Sequence, residues 1–249
     1  MSRQRYPLIY ELIDAIEDRK SPSVYFRDFE SEIEESPSKA RIWAAREALF
    51  ASMDRLSWEA LRSEADPYLT AKDAIGRGWS QLIAILNQAR AHNYLKRHGC
   101  LEIAFVARSS KSRTKTPDIK ASFVGQEVLC EVKTLEISDD EVKARKEMLG
   151  RNIQWELPPQ FLAKLSKTIV KAQSQLHSYR ASLQSECIAF LVMNFDDWLG
   201  EYKSTYYRQI DEHLRGRGSE ECRVVIYNET TAFHSQISMA NAEVVNEDG

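Results

Sequence analysis

The chain has little of what would mark it as a special class of protein. Only 9 glycines and 7 prolines occur in its 249 residues, which excludes collagen-like and low-complexity composition. No fixed-period repeat is present, which argues against a solenoid. The longest purely apolar run, Ile188 to Met193, is far shorter than the roughly 18 residues of a bilayer span, so no membrane association is expected. Arg3 and Arg5 imitate the basic start of an export leader, but Glu11 cuts off the following apolar stretch Pro7 to Tyr10, and no leader is read. Cys100, Cys130, Cys187 and Cys222 stand far apart without a C-x-x-C pair. That spacing suggests neither a zinc site nor a disulfide framework, and reduced, cytoplasmic thiols are the expectation. A Gly-rich phosphate loop, a nucleophile elbow and an H-E-x-x-H helix are also missing.

What remains is a composition suited to a sizeable core, 43% hydrophobic and 10% aromatic, with a net charge of only -3. Residues 1–70 read as helical. Ile9, Leu12, Ile13 and Ile16 form one stripe, Ile42, Ala45, Leu49 and Leu56 a second, and Ser38 is the expected N-cap after Ser36-Pro37. This region carries 10 basic and 14 acidic residues, a poor balance for binding a polyanion. Its expected roles are contact with a partner protein or formation of a homodimer. A turn-rich junction, bracketed by Ala65-Asp66-Pro67 and Gly76-Arg77-Gly78, sets a boundary near residue 70 between it and residues 71–249. There the spacing predicts a helix over 79–97, strands over 101–107, 118–124 and 127–134, a long amphipathic helix over 159–183, a buried strand over 187–194, a helix over 205–214 and a strand over 223–227. Helices interleaved with strands imply an α/β layer fold with a mixed sheet. His92 and His98 read as surface or capping residues.

Two clusters carry chemistry. Gly125 in Val124-Gly125-Gln126-Glu127 predicts a two-residue type II′ hairpin in which Lys120 pairs with Glu131 and Asp118 with Lys133. Period-two alternation then puts Asp118, Lys120, Glu131 and Lys133 on one face, with Ile119, Ala121, Val128, Cys130 and Val132 on the other. Around it, residues 90–133 hold nine Lys or Arg against four acids. Arg108, Lys111, Arg113 and Lys115 in the polar loop before the hairpin suit phosphate contacts that give affinity without reading sequence. On the long helix, Gln175 and Tyr179 share a flank with Lys164, Thr168 and Lys171.

Pro117-Asp118, a hairpin, then Glu131-Val132-Lys133, followed by Gln175-Leu176-His177-Ser178-Tyr179, resembles the PD-(D/E)-x-K nuclease superfamily with the Q-x-x-x-Y helix of its RecB-like members. The resemblance implies a restriction-endonuclease-like core and a Mg²⁺-dependent deoxyribonuclease, with Mn²⁺ as a substitute, acting in defence, restriction or repair. It assigns Asp118 and Glu131 as metal ligands, Lys133 as the group beside the attacking water, Gln175, Tyr179 and Lys120 as supporting residues, Lys171 as a DNA contact, and 5′-phosphate products. One position departs from the pattern: Gln88 stands where many members carry a metal-binding glutamate on the preceding helix. That exchange keeps open a catalytically degenerate member, a DNA-binding or protein-interaction module.

Overall fold

The computed structural model describes residues 2–17, 25–70, 80–107, 116–135, 156–180, 185–193, 203–215, 222–228 and 231–233. The chain divides into two compact units, Met1–Phe105 and Val106–Gly249.

The first unit contains α1 (Ser2–Arg5), α2 (Pro7–Glu17), α3 (Phe29–Glu35), α4 (Pro37–Ala51), α5 (Arg55–Ala65), α6 (Ser80–Leu86), α7 (Gln88–Arg97) and β1 (Leu101–Phe105). Its limit lies well beyond the boundary expected near residue 70, because α6 and α7 bury Leu82, Ile85, Leu86 and Ala89 in the same core as Ile9, Leu12, Phe29 and Trp58. The single helix expected over 79–97 is two, with Asn87 at the join. On α4 the buried residues are Trp43, Glu47 and Phe50, whereas Ile42 is 44% exposed and Leu56, expected on the same stripe, falls on α5 and is 79% exposed. The aromatic rings, carrying more apolar area than Ile42 or Ala45, take the inward face. Buried Glu47 has a partner that explains it: its carboxylate accepts the backbone N–H groups of Leu8 and Ile9, both at 3.0 Å, and so satisfies the start of α2. Ser36, not Ser38, caps α4, because Pro37 takes the first helical position and Ser36 Oγ accepts from Lys39 N.

In the second unit, β2 (Ile119–Phe123), β3 (Gln126–Leu135), β4 (Glu186–Met193), β5 (Arg223–Asn228) and β6 (Thr231–Phe233) line up in that order in a mixed sheet. The β2/β3 and β5/β6 pairs are antiparallel, and β3/β4 and β4/β5 are parallel. Parallel β3 and β4 require a crossover connection, and α8 (Pro159–Tyr179) supplies its helix. A further helix, α9 (Lys203–Leu214), lies between β4 and β5 in sequence. Leu165, Ile169, Ala172 and Leu176 of α8 pack with Leu129, Cys187, Ala189, Leu191, Val224 and Ile226 of the sheet. Truncating any one of these large α8 side chains to alanine would cost about 2–5 kcal/mol. Strand β3 is buried on both faces, as a central strand of a covered sheet must be. Among the described residues, no helix is long and apolar enough to cross a membrane.

Candidate active site

The hairpin forms one step away from its expected register. Phe123 pairs with Gln126 and Ser122 with Glu127, so Val124 and Gly125 are the two central turn residues. Their φ angles are +49° and +78°, the two positive values that a type I′ turn needs and a type II′ turn does not. Lys120 therefore faces Leu129 rather than Glu131. Continued past the ends of β2, the same register sets Asp118 opposite Glu131 rather than Lys133. The shift moves each partner by two positions, so the alternation of faces survives. Asp118, Lys120, Glu131 and Lys133 still share the face on which α8 packs.

Glu131 is the centre of this group. It is 1% exposed, enclosed by the sheet and α8: Lys133 Nζ forms an ion pair with Oε1, and Gln175 Nε2 donates to Oε2 at 2.7 Å. A buried carboxylate held this way has its charge opposed and an acceptor site on each oxygen used, which offsets the desolvation cost. Gln175 Nε2 also donates to the Thr116 carbonyl at 2.8 Å, tying the helix to the chain that enters β2. Asp118 is fixed from the other side, its Oδ2 accepting the Val132 N–H at 2.7 Å. Its own carbonyl accepts from Val106 N at 2.9 Å.

The structure thus gathers Asp118, Glu131, Lys133 and Gln175. Tyr179 lies one helical turn further on, with Lys120 Nζ 5.6 Å above its ring. Lys120 also pairs with Glu127 at 2.9 Å, and Ser185 Oγ donates to the same carboxylate at 2.8 Å. The hydrogen bond to Glu127 raises the Lys120 pKa, and the bonds from Lys120 and Ser185 hold Glu127 below its ordinary value. Sequence reasoning missed Glu127 and Ser185. Glu127 was legible, since the correct turn brings it diagonally across from Lys120.

Lys171 is exposed on α8, one turn before Gln175. Arg108, Lys111, Arg113 and Lys115 lie outside the described residues. Gln88 belongs to the first unit. It is 2% exposed, with Nε2 3.5 Å from Glu64 Oε1 and with Oε1 lacking a partner among the described residues. His92 is not on the surface: it is 2% exposed, sits against Ser57 Oγ at 3.2 Å and stacks on Phe105.

No group of three or more His, Cys, Asp or Glu side chains able to hold a metal ion is found among the described residues. The donor set to be tested is therefore the pair Asp118 and Glu131. Asp118, one residue before β2, and Glu131 on β3 are the hard carboxylates of this face, and a cation such as Mg²⁺, which keeps several of its waters and needs only one or two protein carboxylates, would be held by them. Comparison with known proteins finds no matching family model, curated protein or solved structure.

Proposed function

We propose that the second unit is a Mg²⁺-dependent nuclease with a restriction-endonuclease-like core, hydrolysing DNA phosphodiester bonds. The observation that carries this reading is the 2.7 Å hydrogen bond from Gln175 to buried Glu131. Those residues belong to two motifs 44 positions apart in sequence, each singled out for the same chemistry. The order of β2, β3, α8 and β4, with an antiparallel hairpin followed by a parallel strand, supports it as well.

In this reading Asp118 and Glu131 hold the cation. Bound Mg²⁺ supplies a water of lowered pKa and offsets charge on the phosphate oxygens. Lys133, two residues beyond Glu131 on the same face, orients the attacking water and neutralises the charge that develops on the phosphate. Gln175 keeps the Glu131 carboxylate aimed, and Tyr179 with Lys120 forms the adjoining wall against which the strand rests. DNA is the partner, and residues 1–70 are left for a partner protein or a second copy. Gln88, in place of glutamate, favours one rival: a degenerate nuclease-fold module that binds DNA without cutting it.

The test is incubation of the purified chain with supercoiled plasmid, linear duplex, single-stranded DNA and RNA, each in EDTA, Mg²⁺ or Mn²⁺. A product in the Mg²⁺ arm that EDTA abolishes supports the nuclease. Intact substrates in every arm, with DNA still bound, establish the degenerate module instead.

A further inference from the structure

Helix α8 carries Lys164, Lys167 and Lys171 and not one Asp or Glu in its 21 residues. At the acid content of the whole chain, 37 of 249, a segment of that length would hold about three. The lysines are not spread around the helix. At 100° per residue, Lys164 and Lys171 lie within about 20° of each other, and Lys167 and Gln175 each lie about 40° from Lys171, one on either side. The opposite flank, with Leu162, Ser166, Gln173 and His177, has no Lys or Arg. That flank faces α9, where Ser166 Oγ meets His213 Nε2 at 2.8 Å. The basic flank is therefore the one turned toward the hairpin site. All three lysines are exposed, and Lys167 and Lys171 make no ion pair among the described residues.

We infer that this flank of α8 is a rail for the phosphates of a nucleic-acid strand, leading to Gln175 and ending at the Tyr179–Lys120 pair. From Lys164 to Tyr179 it extends about 22 Å along the helix. A strand with one phosphate per roughly 3.4 Å would lay about six nucleotides along it. Lysines present point charges without directional readout, so the rail binds backbone and not sequence. The inference rests on the proposed function for the identity of the polyanion, but it needs no metal and no cleavage.

The experiment measures fluorescence anisotropy of a labelled 12-nucleotide strand and a 12-base-pair duplex in EDTA, across a salt series. The arms are the full chain, the Lys164→Gln/Lys167→Gln/Lys171→Gln variant and the matching triple Arg variant. The Gln variant is expected to bind at least about tenfold more weakly, and its plot of log affinity against log salt to flatten by about 2–3, close to one for each phosphate that a lysine no longer neutralises. The Arg variant is expected to keep the wild-type affinity within about threefold. A Gln variant with unchanged affinity and slope overturns the rail, as does binding to anionic phosphatidylserine vesicles but not to either DNA. Cleavage in Mg²⁺ is scored separately on the same proteins. Lysine-dependent binding by a chain that never cuts keeps the rail and removes the nuclease, whereas wild-type cleavage and binding retained by the Gln variant do the reverse.

Discussion

Replacing Lys133 with methionine isolates the electrostatics of the site. Methionine keeps much of the stem but removes the cation paired with a carboxylate that is 1% exposed. Removing one partner of a fully buried pair costs about 3–5 kcal/mol. Lys133 keeps 24% of its side-chain surface in solvent, so water already screens part of the interaction and the expected loss falls to about 2–3 kcal/mol. The deficit should be largely recovered in Lys133→Met/Glu131→Gln, where neither charge remains. Amide hydrogen exchange at β3 and β4 reads the stability of this unit alone, without requiring the whole chain to unfold as one. A Lys133→Met protein whose β3 amides match wild type within about 0.5 kcal/mol at pH 7 would refute the reasoning.

Other perturbations test separate parts of the description. Gln175→Met removes one donor that serves both Glu131 and the Thr116 carbonyl, and should cost about 1–3 kcal/mol in chemical denaturation, since both acceptors are left without their donor. Val124 is a β-branched residue at φ +49° and 87% exposed, so Val124→Asn should raise stability by about 0.5–1 kcal/mol, seen as a higher melting temperature, with no packing sacrificed. Asp54 caps α5 by accepting Ser57 N at 2.9 Å, and Asp54→Ala should cost about 1 kcal/mol. Burial holds the His92 imidazole below its ordinary pKa, with Asp54 pulling the other way and Lys96 adding to the depression. The unfolded chain then takes up the proton first. Stability present above pH of about 6.5 is lost as pH falls through the depressed value, and His92→Gln should flatten that part of the melting-temperature profile between pH 7.5 and 5.

The second unit was largely legible because its signals are periodic. The α8 stripe Leu165, Ile169, Ala172, Leu176 has only one helical solution, and Cys187 to Met193 is too apolar to lie anywhere but inside the sheet. Asp118, Glu131 and Lys133 could be placed on one face even from the wrong hairpin register, since a shift of two positions leaves alternation untouched. The register itself was misread because Val124 is a poor residue at positive φ. Local preference pointed to Gly125-Gln126 as the turn, and the pairing of ten-residue β3 with its neighbours overrode it. In the first unit the buried stripe of α2, Ile9, Leu12 and Ile16, was readable, but the inward face of α4 was not. On α4 the carboxylate of Glu47 turns inward to cap α2, an arrangement that depends on partners 38 and 39 residues away and leaves no periodic trace. The burial of His92 beside Ser57 and Phe105 is long-range in the same sense.

The central claim is that Asp118, Glu131 and Lys133 form one hydrolytic site. It is tested most directly by single-turnover cleavage of a labelled duplex in Mg²⁺ by wild type, Asp118→Ala and Lys133→Ala, with DNA affinity measured alongside in EDTA. The account predicts rates lower by about a hundredfold or more in each variant, the scale of removing one electrostatic contributor to a transition state, with affinity within about threefold of wild type. Cleavage by either variant at the wild-type rate would contradict it.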